Sequence, residues 1–168
     1  MSVGKTTLVN ELAKLPEFKD YKSRTERSKH LMDMGIPLNT DSTLKGQFVF
    51  AAERASELLC DKIITDRTVI DVMAFSALSK SMNANESYFL NAALSNLIDD
   101  YDYLFYVSPV GVNMEDNGVR ETDTTYRDNI NKKILEILDL NNVKYTTIQG
   151  NTEERIKLVK SVVFSWYL

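Results

Sequence analysis

Apolar residues recur along this chain at two spacings, and the spacings predict alternating helices and strands. Leu8, Leu12 and Leu15 share one face of a segment that begins after Gly4. The helical spacing predicts helices over about residues 5–14, 26–34, 42–59, 69–79, 87–98, 124–140 and 152–164. Short segments between them predict strands over about residues 21–24, 62–66, 103–107 and 144–148. This alternation predicts an α/β fold with a mostly parallel sheet.

The predicted helix over residues 42–59 and the strand over 103–107 carry strong apolar patterns. In the helix, apolar residues recur at spacings of three and four: Leu44, Phe48, Ala51, Ala55 and Leu58. This spacing predicts one apolar face that is buried in the core, with Asp41 or Ser42 as the N-cap. The strand is apolar throughout, which is typical of a strand that is covered on both faces.

Composition and charge narrow the classes of function. The chain has 168 residues, 43% of them hydrophobic and 26% charged, which suits one compact domain over residues 1–168. A net charge of −4 at pH 7 gives no overall basic field that would attract nucleic acid. A single cysteine and a single histidine exclude an internal disulfide framework and a multi-histidine metal site. No apolar run reaches membrane-spanning length, so we expect a cytoplasmic protein without a membrane partner.

Gly4-Lys5-Thr6 is the back half of the phosphate-binding pattern G-x-x-x-x-G-K-S/T. Glycine lets backbone N–H groups approach a phosphate, lysine reaches the β- and γ-phosphates, and the threonine hydroxyl binds Mg²⁺. We therefore expect the phosphates of ATP to be held by Ser2, Val3, Gly4, Lys5, Thr6 and Thr7. The alternative is a plain helix N-terminus in which Gly-Lys-Thr occurs by chance.

The first glycine of this pattern, and the buried strand that precedes it, would lie upstream of Met1. In this architecture that strand is normally central. We therefore expect either that the chain is truncated at its N-terminus or that the fold has replaced the missing first strand.

Asp66 stands at the carboxyl end of a predicted strand, where ligands bind in open α/β sheets. An acid at this point can bind Mg²⁺ or take the proton of an attacking hydroxyl, and Arg67 can hold a substrate oxygen. The alternative is a helix N-cap followed by a surface charge. Asp71, one turn later, belongs either to the same site or to a solvated helix face.

Two further groups of charged residues are candidates for phosphate chemistry. Arg120 and Arg127 are seven residues apart, close to two helical turns, so a helix would point both guanidinium groups the same way. Together they would neutralise a transferring phosphoryl group from a lid over about residues 112–127, or else form a solvated pair. The second group surrounds Glu26 and either holds an anionic acceptor or forms a solvated face: Lys22, Arg24, Arg27 and Lys29.

Four short segments together carry a family resemblance: Ser2–Thr7, Thr25–Arg27, Ile64–Asp71 and Asn117–Arg127. They resemble the small P-loop kinases of the AAA-type ATPase-like group, and in particular the ribosylnicotinamide-kinase-like proteins. The resemblance implies a three-layer P-loop NTPase fold in which helices flank a parallel sheet, with ATP and Mg²⁺ as cofactors. The catalytic residues that it implies are Lys5, Asp66, Arg120 and Arg127. It also implies metal binding by Thr6 and Asp66, and substrate binding by Glu26, Arg27 and Arg67.

The function implied by this resemblance is a kinase that moves the γ-phosphate of ATP to a hydroxyl of a nucleoside- or nucleotide-like small molecule. A kinase of 5-hydroxymethyl pyrimidines in DNA is a second possibility, although the negative net charge disfavours a nucleic-acid partner. An ATPase without a small acceptor and a non-catalytic remnant also fit the pattern. A GTP-dependent switch is disfavoured because the chain lacks an Asn-Lys-x-Asp string.

Overall fold

The structure of the chain is a computed structural model that describes residues 4–25, 27–108 and 124–165. Helices and strands alternate along these residues, as the sequence predicts. The α-helices are α1 (Lys5–Leu12), α2 (Ser28–Asp33), α3 (Leu44–Glu57), α4 (Val69–Ala77), α5 (Ala84–Ser95), α6 (Thr124–Leu140) and α7 (Thr152–Val163). The strands are β1 (Lys22–Arg24), β2 (Ile63–Thr65), β3 (Phe105–Val107) and β4 (Thr146–Ile148). Over the described ranges, no helix combines the length and the apolar character that are needed to cross a membrane.

Side-chain caps fix where several helices begin. Thr43 caps α3 by accepting a hydrogen bond from a backbone N–H group at 3.2 Å, so the prediction that one of the two preceding residues is the cap is wrong. At α5, Asn83 and Glu86 form a capping box with N–O distances of 3.0 and 2.8 Å. Helix α5 therefore starts at Ala84, earlier than predicted, because polar residues that are typical of a loop close its first turn.

The described strands form two parallel pairs, which confirms the predicted parallel pairing. Strand β1 pairs with β2, with Lys22 opposite Ile63, and β3 pairs with β4, with Phe105 opposite Thr146. These pairs are two separate sheets, whereas the sequence predicts a single one. Each strand is three residues long and therefore shorter than predicted, because backbone pairing decides where a strand ends.

One cavity lies between the two sheets, and we call it the central cavity. In a parallel ladder, alternate residues of a strand bond to opposite neighbours. The backbone groups of Lys62 and Asp66 make hydrogen bonds to β1. By this alternation, the backbone N–H and C=O groups of Ile63 and Thr65 point away from β1, toward the opposite edge of β2. All residues of β2 and β3 line the central cavity, whose volume is about 290 Å³. Among the described residues, no third strand joins the two pairs.

Two apolar clusters form the core of the described structure. The first lies among α3, α4, α5 and α6, and its most buried members include Val69, Ala74 and Leu90. The second lies where α1, α7 and β4 meet, and its buried members are Leu8, Leu12, Phe18, Ile148 and Val159. Helix α4 belongs to the first cluster and is buried on nearly every side. Its packing therefore fixes the turn between β2 and α4, which contains Asp66.

The apolar face predicted for α3 is correct only in part, since Ala51 is buried and Leu44 packs against the first cluster. Phe48, in the middle of that predicted face, is 44% exposed. The face that α3 buries instead carries Gln47, Arg54 and Glu57 beside the small Ala51. Arg54 and Glu57 lie 3.0 Å apart, and mutual pairing is what allows a helix to bury two charged side chains. As a result, a charged face of α3 lies behind β2.

Candidate functional site

The phosphate-binding loop is described from Gly4 onward, while Ser2 and Val3 lie outside the described residues. Gly4 is the N-cap of α1 and has a φ of 78°, a left-handed conformation that glycine adopts without strain. No side chain caps this helix within the described part of the chain, so its first backbone N–H groups are left for another acceptor. Such groups at the positive end of a helix dipole attract anions. Thr7 lies in this first turn and is exposed.

Thr6 and Asp66 connect the start of α1 to the carboxyl end of β2. The Thr6 hydroxyl donates a hydrogen bond to Oδ2 of Asp66 across 60 positions of sequence. Asp66 is only 3% exposed, and its backbone N–H donates to Arg24 O at 2.9 Å, which ties it to β1. Its other oxygen, Oδ1, is buried and has no hydrogen-bond partner among the described residues. A buried acceptor of this kind is typical of a group that binds something else.

Lys5 and Asp71 form an ion pair at the edge of the central cavity, with Nζ and Oδ1 3.6 Å apart. Asp71 also accepts a hydrogen bond from Thr68 N at 2.9 Å, as part of the capping box that starts α4. Burial raises the pKa of Asp71, but the charges of Lys5 and Arg67 and this hydrogen bond outweigh it, so the pKa lies below its usual value. Asp71 is therefore ionised at neutral pH and holds the Lys5 ammonium near the phosphate-binding loop.

Arg67 has an unusual backbone conformation directly after Asp66. Its φ is 105°, which is strained for any residue except glycine. Its carbonyl oxygen accepts hydrogen bonds from Arg54 Nη1 at 3.3 Å and from Thr65 Oγ1 at 3.2 Å. Its guanidinium lies over the ring of Phe75, 5.1 Å from the ring centre. Strained backbone conformations that are held by neighbouring contacts are common at functional sites. Here the contacts of the Arg67 carbonyl hold such a conformation.

A buried pair of charges on α3 supports this turn, and the sequence pattern did not reveal it. Arg54 and Glu57 are 3% and 4% exposed. Glu57 Oε2 also accepts a hydrogen bond from Thr65 Oγ1 at 2.9 Å. Burial raises the pKa of Glu57, although Arg54 and the hydrogen bond from Thr65 oppose this effect. The only sequence signal was the i, i+3 spacing of an arginine and a glutamate on one helix, which also occurs on solvated faces.

The remaining predicted site residues lie elsewhere or are not described. Arg27 is exposed and pairs with Glu53 at 3.3 Å, and it does not line the central cavity. Arg127 lies in the first turns of α6, pairs with Asp128 at 3.5 Å and does not line the cavity either. Glu26, Arg120 and most of the predicted lid fall outside the described residues, so the alignment of the two lid arginines stays a prediction. The residues that the fold does bring together are Lys5, Thr6, Asp66, Arg67 and Asp71.

Comparison with protein families gives one match, to the family described as the AAA domain, over residues 1–155. This match spans most of the 168 residues and includes the phosphate-binding loop, Asp66 and all of α1 to α6. The chain belongs to the AAA domain family. No curated protein and no solved structure matches it. An AAA domain is a P-loop NTPase domain with an α/β fold, so membership of this family favours a phosphate-binding loop at the Gly-Lys-Thr string over a chance occurrence.

AAA domains generally use ATP with Mg²⁺, and the residues of this AAA domain fit that pair. Magnesium prefers oxygen ligands and usually takes one or two carboxylates, with substrate phosphates and water completing its shell. The Thr6 hydroxyl and the buried Oδ1 of Asp66 provide such oxygens beside the phosphate-binding loop. Within the described residues no cluster of three His, Cys, Asp or Glu side chains forms a metal cage of its own. A metal bound here would therefore depend on the phosphates of the nucleotide for most of its ligands.

Proposed function

We propose that this AAA domain is an ATP-dependent phosphotransferase that moves the γ-phosphate of ATP to a hydroxyl of a nucleoside- or nucleotide-like small molecule. The observation that carries the proposal is the hydrogen bond from Thr6 to Asp66. It joins the phosphate-binding loop to the acid at the end of β2, next to a cavity that Lys5 and Arg67 also line. An anion site, an acid and a cation beside one cavity are the parts that phosphoryl transfer requires.

Each residue of the site has one role in this proposal. The backbone N–H groups at the start of α1 and the Lys5 ammonium bind the phosphates of ATP, with Lys5 exchanging Asp71 for phosphate oxygens. Thr6 and Asp66 would hold Mg²⁺, which when bound neutralises charge on the β- and γ-phosphates. Arg67 holds the acceptor or the transferring group. Glu26 and Arg27 as acceptor ligands, and Arg120 and Arg127 as lid arginines, remain part of the proposal.

The reaction is an in-line transfer. The oxygen of the acceptor hydroxyl forms a bond to the γ-phosphorus as the bond from that phosphorus to the bridging oxygen breaks, and ADP leaves. The hydroxyl proton passes to Asp66 or to solvent. Asp71 is a poor acceptor for this proton because its lowered pKa makes that carboxylate a weak base.

Two other functions follow from the same site. The family match is equally compatible with an ATPase without a small acceptor, in which water replaces the acceptor hydroxyl. A kinase of 5-hydroxymethyl pyrimidines in DNA needs a basic track for the backbone, and a net charge of −4 weighs against it. We also propose that the chain is a single domain and that it is located in the cytoplasm.

The proposal includes the three-layer fold with one parallel sheet. It is supported by β2 and β3, which both line the central cavity and have no pairing partner between them among the described residues. One extended strand between β2 and β3 would join the two pairs into a single sheet. Such a strand would correspond to the one that normally precedes a phosphate-binding loop.

A transfer assay tests the function directly. ADP formation and labelled acceptor are measured together for a panel of nucleosides, mononucleotides and hydroxymethylated DNA. A kinase forms ADP only slowly until the right acceptor is added, and each ADP is then matched by one phosphorylated acceptor. Release of phosphate at full rate without any acceptor would support the ATPase and refute the kinase.

A matched pair of variants shows whether the site carries the activity. Asp66→Asn should remove transfer, whereas Asp33→Asn should retain it, because Asp33 is an exposed residue of α2 that does not line the central cavity. Full transfer in Asp66→Asn would mean that the activity does not depend on the Asp66 carboxylate.

A further inference from the structure

Arg155 lies against the phosphate-binding loop, although it belongs to α7 near the other end of the chain. It is 8% exposed, and its Nε donates a hydrogen bond to Gly150 O at 2.8 Å. On the other side, a Cβ atom placed on Gly4 would lie only 3.0 Å from Nη1 of Arg155. The guanidinium therefore stands between Gly4 and the turn that follows β4.

The position of this guanidinium matters because the start of α1 is already positive. The first N–H groups of α1 carry the positive end of the helix dipole, and Lys5 adds a full charge. A third positive group raises the attraction of this point for an anion. Guanidinium groups also present several N–H donors in a plane, a geometry that suits phosphate oxygens. The ligand that fits is the phosphate chain of a nucleotide.

We propose that Arg155 is a positioning residue of the nucleotide site, and this inference rests on the proposed function. Arg155 holds Gly4 against the turn at Gly150, and its charge strengthens phosphate binding at the start of α1. Gly150 has a φ of 86°, so the carbonyl that accepts from Arg155 is presented by a left-handed turn that favours glycine. Helix α7 thus contributes to the nucleotide site although it lies far from the loop in sequence.

Binding measurements on three variants test the inference. The dissociation constants of Mg·ATP, ADP and AMP are measured by calorimetry for the parent chain, Arg155→Gln, Arg155→Lys and Lys157→Gln. Lys157 is an exposed residue of the same helix, so its variant removes one charge from α7 without touching the loop. We expect Arg155→Gln to weaken ATP binding by roughly tenfold to a hundredfold, the range for losing one charge-assisted contact. Arg155→Lys should recover part of this loss, and Lys157→Gln should bind as the parent does.

A graded series of nucleotides separates a role at the phosphates from a merely structural one. If the charge acts on phosphate, the loss in Arg155→Gln is largest for ATP, smaller for ADP and smallest for AMP. An equal loss for all three, or an affinity unchanged from the parent, overturns the inference while leaving the proposed function intact. A parent chain that binds no nucleotide overturns both.

A double-mutant cycle with Gly4→Ala keeps the test valid if Arg155→Gln is poorly stable. Alanine at Gly4 is strained at a φ of 78°, and its Cβ would press on the guanidinium. Lysine is shorter than arginine, so in the background of Arg155→Lys the contact between this Cβ and the side chain at position 155 should weaken. If the changes in binding free energy of the two single variants simply add in the double variant, the two residues do not act together, and the inference fails.

Discussion

Replacing Asp66 with asparagine is the sharpest test of the site. Asparagine has nearly the same shape and keeps one oxygen that can accept the hydrogen bond from Thr6. It removes the charge and converts the buried, unpartnered Oδ1 into a group that cannot bind Mg²⁺. The variant should therefore fold as the parent does and lose at least half of its stabilisation by Mg·ATP.

The size of the effect can be estimated from the structure. In the unliganded protein, Asp66→Asn exchanges one unpartnered buried polar atom for another, so we expect the free energy of unfolding to change by about 1 kcal/mol or less. Mg·ATP at one hundred times its dissociation constant should stabilise the parent by about 2.7 kcal/mol. Losing one charged contact weakens binding by about 1.5–3 kcal/mol, which leaves roughly 0.3–1.3 kcal/mol of that stabilisation.

Thermal unfolding with and without Mg·ATP measures both quantities. For a chain of 168 residues, about 2–4 °C per kcal/mol predicts that Mg·ATP raises the Tm of the parent by about 5–11 °C. The rise should fall to half or less in Asp66→Asn and stay complete in Asp33→Asn. A full rise in Asp66→Asn, or an unliganded variant that has lost several kcal/mol, would refute the role given to Asp66.

Three further changes test other parts of the structure. Lys5→Met should abolish transfer and lower the free energy of unfolding at pH 7 by about 1–2 kcal/mol, since Asp71 loses its cation. The pKa of Asp71 is lowered in the folded chain, so its ion pair with Lys5 contributes stability above about pH 4 and this contribution is lost as the pH falls further. The difference in urea unfolding between Lys5→Met and the parent should therefore shrink below about pH 4. Arg54→Met should destabilise the fold by about 3 kcal/mol, because Glu57 then stays buried without its partner. An added N-terminal segment of about five β-branched residues and a loop that completes G-x-x-x-x-G-K-S/T should raise the Tm and the affinity for ATP.

Each of these predictions has a control. A difference between Lys5→Met and the parent that does not shrink as the pH falls below about 4 would show that Asp71 is not its cause. The double variant Arg54→Met with Glu57→Leu should recover much of the stability, and a double variant as unstable as Arg54→Met alone would mean that pairing is not what Glu57 needs. The added segment should have no effect when lysine and proline replace its β-branched residues, and equal gains from both segments would contradict strand insertion.

The sequence predicted most of the fold because helices and strands leave local signals. The predicted bounds of α6 match the structure, since its apolar residues repeat over a long run. The predictions fail where the deciding contact is distant. Phe48 and Arg54 stand on the same helix, and the apolar spacing placed the wrong one in the core. Arg54 pairs with Glu57 on the same helix, but the contacts that explain the burial of this charged face run to other elements: Arg54 donates to Arg67 O, and Glu57 accepts from Thr65.

The candidate site divides in the same way. Gly4, Lys5 and Thr6 were predictable because the phosphate-binding pattern is a short string whose chemistry is complete within a few residues. The meeting of Thr6 with Asp66, and that of Gly4 with Arg155, were decided only by tertiary packing. Local hydrogen bonds and apolar periodicity are fixed by neighbouring residues, whereas these contacts exist only after α1, β2 and α7 have packed together. The predicted phosphate-binding loop is thus encoded locally, whereas Asp66 and Arg155 come to lie beside it only when the chain folds.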